Sequence, residues 1–298
     1  NEFPIKIILA RQIGQALAQE GLSLLPPIAF TFDTPPQILV ISPRERIELR
    51  RILLLEPGLS LAKAAEMEQQ IEALPPPTGQ RWGVSALVEE LGGLALYPSL
   101  VPETATLEQA IPTIAHEWVH QYLFFRPLGR RYGASYQMTT INETVADMVG
   151  DEIGERVLGA YGKRLAKRPA KRPTGFDFDQ EMRQTRLKVD ELLGRGQVQE
   201  AESYMEQRRQ LLAREGYYLR RLNQAYFAFH GSYAESPASS SPVGDWLRAI
   251  RRRSSSLGQF LGTVSQISSY QELERLAALL GRESAPFSVP LPPGSTGK

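Results

Sequence analysis

The sequence has no cysteine and very few histidines. Among its 298 residues there are three histidines and no cysteine. The lack of cysteine excludes disulfide bonds, thiolate zinc fingers and a cysteine nucleophile. It does not assign a compartment, because a chain without cysteine is compatible with both oxidising and reducing surroundings.

The sequence also lacks a large net charge and a long apolar run. Its formal net charge is +1, with 42% hydrophobic and 22% charged residues. This balance is typical of a globular protein with a core, and it provides no overall field that would favour nucleic acid as a partner. No run of about 20 apolar residues is present, so we expect no segment of this sequence to span a bilayer.

The residue pattern predicts a mixed α+β fold that is predominantly helical. Short β-like runs occur before residue 103, and helical periodicity dominates after it. We predict an α/β lobe with a sheet over 1–103, a helical lobe over 104–285 and a flexible tail over 286–298. The predicted strands are 28–32, 38–42, 46–55 and 93–101, and the predicted helices are 5–20, 60–74, 106–125, 136–159, 178–194, 197–229, 242–252, 256–267 and 270–281.

Two of the three histidines lie in one apolar segment, IAHEWVHQYLFF at 114–125. His116 and His120 are four residues apart, so on a helix both imidazoles project from one face and can bind one ion. Glu117 can reach a water on that ion without binding the ion itself. The alternative is that the histidines are ordinary packed residues, but buried polar groups without partners are costly. The segment therefore predicts a zinc site with Glu117 as general base.

A second helical segment, TTINETVADMVGDEIG, contains acidic residues that complete a known pattern. Glu143, Ala146 and Asp147 share one helix face and follow Asn142. Together with the H-E-x-x-H pattern, this N-E-x-x-A-D pattern resembles the gluzincin metallopeptidases, the thermolysin-like branch of the zincins. The spacing between the two patterns is a few residues longer than in the best-known members.

The resemblance implies a zincin-like fold with the active-site cleft between the two lobes. It implies that Glu143 is the third ligand of one Zn²⁺ per chain, beside His116 and His120. It also implies that Asp147 and Asn142 orient the ligands, since a zinc-binding histidine usually donates its other N–H to an acceptor. The implied function is a zinc metallopeptidase, in which Glu117 deprotonates a zinc-bound water that attacks a peptide or protein substrate.

The resemblance further implies a hydrogen-bond donor for the oxyanion, which gluzincins take from a tyrosine or histidine downstream of the ligand helix. His230 and Tyr233 are the candidates in this sequence. The alternative is that the aromatic residues around them belong to the core and that His230 only ends a helix before Gly231. Both interpretations stay open.

Gluzincins also bind the substrate as an added strand at a sheet edge upstream of the zinc helix. The segment 93–101, GLALYPSLV, is the candidate for that edge. Pro98 favours an edge over an internal strand, because proline is tolerated at sheet edges. The candidate substrate-binding residues are Gly93, Leu94, Ala95, Leu96 and Tyr97.

Other functions remain possible for the same motif. The first is a zinc hydrolase that does not act on peptides, and the second is a catalytically inactive zincin-fold binding or scaffold protein. A third is a membrane-associated protease with an anchor upstream of Asn1, and we therefore favour an extracytoplasmic or membrane-anchored location over a cytoplasmic one. The oligomeric state is open.

Two charged segments lie outside the zinc motifs. Glu89 and Glu90 are candidates to hold the free amine of an aminopeptidase substrate, and the choice between endopeptidase and aminopeptidase stays open. The basic stretch at 162–173 is interpreted as a solvated linker and not as a site for nucleic acid or anionic lipid.

Overall fold

The computed structural model describes residues 3–76, 78, 79, 81–163 and 175–282, and these ranges form a mixed α+β structure that is predominantly helical, as predicted. None of the helices in these ranges has both the length and the apolar character that crossing a bilayer requires. In chain order the elements are α1 (Phe3–Gln19), β1 (Phe30–Asp33), β2 (Gln37–Pro43), β3 (Arg51–Leu55), α2 (Leu61–Glu72), β4 (Val84–Glu90), β5 (Ser99–Pro102), α3 (Leu107–Leu123), α4 (Pro127–Arg130), α5 (Tyr136–Gly159), α6 (Phe178–Gly194), α7 (Val198–Arg214), α8 (Gln224–His230), α9 (Val243–Arg253), α10 (Leu257–Val264) and α11 (Tyr270–Arg282).

The strands form two small sheets. In the first, β1 runs parallel to β5. In the second, β2 lies between β3 and β4 and is antiparallel to both, with Leu39 opposite Leu53 on one side and Val88 on the other. Because side chains alternate along a strand, β2 buries Ile38 and Val40 on one face and Leu39 on the other. The sheet is therefore covered by α2 on one face and by α6 to α8 on the other.

The largest core forms around α3 and α5, and α1 packs into it with Ile13 and Leu17 fully buried. Gly150 allows α5 to approach α3 closely, because a Cβ at this position would lie 2.9 Å from the Pro112 carbonyl oxygen and 3.2 Å from His116 Cβ. The close approach places the polar residues of both helices within reach of one another.

A buried glutamate attaches α1 to the last helices. The Glu20 carboxylate accepts a hydrogen bond from the Leu257 backbone N–H at 2.9 Å and pairs with Arg156. The Gly258 backbone N–H donates to the Glu20 carbonyl at 2.9 Å. The first and last parts of the described chain therefore belong to one packed unit, and the predicted lobe boundary at residue 103 stays a prediction.

The prediction of one strand over 93–101 is wrong. Only Ser99–Pro102 is a strand, and the chain before it folds back, so that Leu94 and Leu100 exchange both backbone hydrogen bonds at 3.0 Å. The proline at 98 has no N–H to donate to a ladder, which favours a turn at this position over a continued strand.

The single helix predicted over 197–229 is also wrong, because the structure contains α7 and α8 there. Gly216 has φ +85°, a conformation that ends α7, and Asn223 caps α8 by accepting a hydrogen bond from the Tyr226 N–H at 2.9 Å. The predicted basic linker lies outside the described residues from 164 onwards, and the predicted tail over 286–298 lies entirely outside them.

The loop between α7 and α8 reaches back to a buried carboxylate on α2. Glu68 is fully buried and accepts hydrogen bonds from Arg220 at 2.6 and 2.7 Å and from Arg221 at 3.0 Å. It also accepts the Val88 backbone N–H at 2.6 Å. Burial raises the pKa of Glu68, whereas the hydrogen bonds from the two arginines and from the Val88 N–H lower this pKa by a larger amount. The net pKa therefore lies below the ordinary value.

Replacing Glu68 with alanine is expected to lower the free energy of unfolding by about 3 kcal/mol, because the change leaves two arginines and a strand N–H without their acceptor. The arginine side chains stay 29% exposed, which keeps the loss at the lower end of the range for broken buried pairs. Urea unfolding measures the difference. Glu66→Ala is the control, since this residue lies on the same helix but is exposed, and we expect a change within about 0.5 kcal/mol.

The same pair of proteins provides a pH test. A carboxylate whose pKa is lowered by folding stabilises the folded state above its unfolded-state pKa, and this contribution is lost as the pH falls through the folded-state pKa. The stability difference between wild type and Glu68→Ala should therefore shrink in acid. A difference that stays constant through the acid titration would contradict the assigned ion pair.

Candidate metal centre

The two helices that form the largest core also bring together the polar residues of both sequence motifs. His116, Glu117 and His120 lie on α3, and Glu143 and Asp147 lie on α5. The start of α3 is fixed by a capping box between Thr106 and Gln109, and Ser135 caps α5 by accepting the Met138 N–H at 3.2 Å. The facing sides of both helices also carry buried apolar residues, and their packing holds the polar side chains against one another.

Three side-chain atoms converge on one point between α3 and α5. His116 Nε2 lies 3.0 Å from His120 Nε2, and each of these atoms lies 3.5 Å from Glu143 Oε2. Ligands at about 2.0–2.1 Å from a tetrahedral zinc ion are about 3.3 Å apart, so the observed separations match the edges of such a site. These residues are the one group of three or more potential metal ligands found among the described residues.

The outer nitrogen of each histidine has its own acceptor. His120 Nδ1 lies 2.8 Å from Asn142 Oδ1, and His116 Nδ1 lies 3.0 Å from Asp147 Oδ1. Because these oxygens accept hydrogen bonds, they favour the tautomer with the proton on Nδ1 and leave a lone pair on each Nε2. Two lone pairs and a carboxylate oxygen then point at one another, and this donor set can hold a cation.

The electrostatics of the site favour a positive charge at this point. Burial lowers the pKa of His116, but hydrogen bonds to Asp147 and Glu143 outweigh it, and the net pKa lies well above the ordinary value. The pKa of His120 is raised in the same way, chiefly by Glu143 against the effect of burial. Burial raises the pKa of Glu143, yet the histidines lower it well below its ordinary value. A proton and a metal ion therefore compete for the same position.

Glu117 lies beside the converging ligands and differs from them in its surroundings. It is 6% exposed, and no residue in the described ranges donates a hydrogen bond to its carboxylate. Burial raises its pKa; the two neighbouring histidines oppose this effect but do not cancel it. Gly93 covers it, because a Cβ there would overlap Glu117 Oε1 and lie 2.8 Å from Thr113 Cγ2. A buried carboxylate without a protein donor is free to bind a water or a substrate.

Tyr132 is a site residue that the sequence did not predict. Its hydroxyl group donates a hydrogen bond to Glu143 Oε1 at 2.6 Å, and its ring lies 5.9 Å from the ring of His120. This bond occupies Oε1 and leaves Oε2 facing the histidines. The residue lies in the turn between α3 and α5. The sequence indicated this turn only through the longer spacing between the two motifs.

The two predicted oxyanion donors lie in different surroundings. The ring of Tyr233 lies 6.4 Å from the ring of His116, and burial together with the Glu143 and Asp147 charges raises its pKa well above the ordinary value. His230 ends α8, as the core interpretation expected, and its Nε2 lies 3.5 Å from Glu89 Oε1. The structure thus brings Tyr233 to a ligand histidine and His230 to the acidic end of β4.

The predicted substrate-binding residues occupy the turn that replaces the expected strand. Gly93 lies over Glu117, and Leu94 pairs with Leu100. The Leu96 carbonyl accepts a hydrogen bond from Gln121 Nε2 on α3, which holds the turn against the ligand helix. Leu96 and Tyr97 are exposed at the tip of the turn, and Ala95 lies between the paired and exposed parts. Their role in binding stays a prediction.

Searches against models of known protein families, curated proteins and solved structures each find no match to this chain. The interpretation of the site therefore rests on its own residues. The cluster of His116, His120 and Glu143 fits an HExxH-type zinc site and can hold a metal ion.

Protein that has been stripped with a chelator and reloaded with zinc is expected to retain one ion per chain after dialysis. His116→Ala and Glu143→Ala should each weaken zinc binding by more than the roughly 10–100-fold that the loss of an outer hydrogen-bond partner costs, because each removes a direct ligand. Elemental analysis and a competition titration with a zinc indicator measure both quantities.

Glu155→Ala is the matched control for these variants, since it removes an exposed carboxylate from the same helix as Glu143. Its zinc content should equal that of the wild type. Equal zinc content in all three variants would show that the ion binds elsewhere.

Proposed function

We propose that this protein is a zinc-dependent metallopeptidase of the gluzincin type. The observation that carries the proposal is the joint geometry of two residue sets on α3 and α5. Two histidine nitrogens and one glutamate oxygen converge within 3.5 Å of one another, and a buried glutamate without a protein donor follows the first histidine on the same helix. A site with three protein ligands leaves one position of a tetrahedral ion for water or substrate.

Zinc is the metal that best fits the donor set. Two imidazoles and one carboxylate form a set that is common in zinc hydrolases, whereas magnesium and calcium prefer ligand sets made of oxygen. When bound, a zinc ion lowers the pKa of a water and polarises a carbonyl group.

Glu117 is the proposed general base. Burial has raised its pKa, which brings the carboxylate nearer to the pH at which it can both accept and return a proton. In the proposed reaction it takes a proton from the attacking water as the water adds to the peptide carbonyl. It then passes this proton to the leaving amine when the carbon–nitrogen bond breaks.

Tyr233 is the proposed donor to the oxygen that gains negative charge in the tetrahedral transition state, because the one hydroxyl proton of Tyr132 is already donated to Glu143. The Tyr233 ring lies beside the ligand His116, and burial together with the Glu143 charge raises the pKa of its hydroxyl, so it keeps its proton at neutral pH. A neutral hydroxyl group beside the reacting carbonyl can donate a hydrogen bond when charge develops on that oxygen.

The glycines after β4 are the proposed contact with the substrate backbone. The backbone N–H and C=O groups of Gly92 and Gly93 have no hydrogen-bond partner within the described residues. A peptide in extended conformation can pair with these groups as an added strand, and the lack of side chains lets it approach Glu117 closely. Main-chain pairing of this kind reads the extended shape of a substrate and little of its sequence.

Replacing Glu117 with glutamine is expected to reduce kcat for peptide cleavage by about 10²–10⁴-fold, because the amide has nearly the same shape but cannot accept the proton. Cleavage of a mixed peptide library by the zinc-loaded protein, followed by mass spectrometry, first identifies a substrate for this measurement.

Zinc content and urea unfolding of Glu117→Gln should match the wild type, which separates a catalytic loss from a structural one. Full activity in this variant would sink the assignment of Glu117. A wild type that binds zinc but cleaves no peptide would favour the non-peptidase hydrolase or the inactive binding protein.

Single replacements of the two tyrosines by phenylalanine distinguish their roles. Loss of an oxyanion donor typically reduces kcat by about 10²–10³-fold with little change in KM, and we expect this result for Tyr233→Phe. Tyr132→Phe should instead weaken zinc binding, because it removes the hydrogen bond that fixes the Glu143 carboxylate. If Tyr233→Phe changes kcat by no more than a few-fold, the donor is a different group.

A further inference from the structure

The outer edge of β4 is already occupied at Val88. The Val88 N–H donates to Glu68 Oε1 at 2.6 Å, and the Val88 carbonyl accepts from Arg220 Nη2 at 2.8 Å. These side chains take the places that the backbone of a neighbouring strand would take. No further strand can pair with β4 at this residue while they remain in place.

The outer edge of β4 is occupied in the same way at Ala86, two residues before Val88. The Ala86 N–H donates to Glu72 Oε1 at 3.0 Å, and its carbonyl accepts from Asn223 Nδ2 at 2.9 Å. Backbone groups in a strand face opposite sides in alternate residues, so Ala86 and Val88 face outward while their neighbours pair with β2. The next outward-facing residues in this alternation are Glu90 and Gly92.

The side chains that occupy this edge are held in place by ion pairs. Glu68 is fully buried and bonds both Arg220 and Arg221, and Arg221 also bonds Glu72 at 2.8 and 2.9 Å. Charge-assisted bonds of this geometry are shorter and stronger than neutral ones. A substrate would have to break a buried ion-pair network to displace these side chains from the edge.

A cavity of about 350 Å³ lies where the closed part of the edge ends. It is lined on one side by Val88 and Glu90, and on the other sides by Leu61, Arg220 and His230. This volume is at the small end of the range for ligand pockets. The space beside the open end of β4 can therefore hold a short piece of chain.

We propose that the side chains bonded to the outer edge of β4 at Ala86 and Val88 limit the substrate to about three residues on the C-terminal side of the cleaved bond. The inference rests on the proposed peptidase function and names its substrate class. An antiparallel partner of β4 runs towards Val88 in its own C-terminal direction, and antiparallel pairing continues the pattern of this sheet. From Gly92 to Val88 a strand spans four residues, or about 13 Å, which leaves room for about three residues. The substrates are thus the C-terminal ends of peptides and unfolded chains.

The test uses two series of synthetic peptides built on one sequence that the zinc-loaded wild type cleaves at a single bond. One series is lengthened residue by residue at the C-terminus, and the other at the N-terminus. We expect kcat/KM to fall at least tenfold once more than about three residues follow the cleaved bond, and to change little in the N-terminal series. The cleavage position and rate are read by mass spectrometry.

Leu61→Trp narrows the cavity and provides a second readout. Leu61 is 73% exposed at the cavity wall, so a larger side chain can be accommodated without disturbing the core. This variant should lower kcat/KM for the longest accepted peptide more than for the shortest. Leu74→Trp is the control, because Leu74 is 56% exposed just after the same helix and does not line the cavity.

The outcomes separate the two proposals. Cleavage of interior bonds in long unfolded chains at the same rate as in short peptides would overturn the length limit and leave the peptidase function intact. A fall in the N-terminal series alone would overturn the antiparallel orientation and with it the inference. Absence of zinc-dependent cleavage of any peptide would instead refute the proposed function itself.

Discussion

The close contact between α3 and α5 is the constraint on which the site depends. Gly150 removes the side chain that would separate the two helices, and the polar groups of both then meet inside the largest core. Converging acceptor atoms repel one another unless a positive charge lies between them. The fold thus creates a position that can hold a cation, and Asp147 and Asn142 accept hydrogen bonds from the outer nitrogens of the two imidazoles and fix their orientation.

The three-stranded sheet approaches the same cluster through the end of β4. This strand leads into Gly92 and Gly93, and Gly93 covers Glu117, so the open backbone groups of these glycines lie beside the Glu117 carboxylate. The ion-pair network around Glu68 joins α2, β4 and the loop before α8. This network joins the three-stranded sheet to the loop before α8. It also occupies the outer edge of β4 at Ala86 and Val88.

Local pattern predicted the parts of this structure that local physics determines. The bounds of α5 and α6 match the predicted helices, and the i, i+4 spacing placed both histidines on one face. The break between α7 and α8 was missed, because the loop there is held by contacts from Arg220 and Arg221 to residues about 150 positions earlier. The turn before β5 was missed although its contacts are local, because Pro98 was interpreted as a sign of a sheet edge and not of a turn. Tyr132 was missed because it lies outside both motifs and its bond to Glu143 leaves no periodic signal.

The bond between Glu20 and the start of α10 has a consequence for synthesis on the ribosome. Its partners are 237 positions apart, and at roughly 5–20 residues per second their synthesis is separated by about 10–50 seconds. Late in that interval α1 and the helices that it contacts, α3 and α5, have been made, while the residues of α10 and α11 that complete the same core have not. Completion of the largest core is therefore a late event in the life of the nascent chain, and part of the apolar surface of α5 stays uncovered until α9, α10 and α11 have been made.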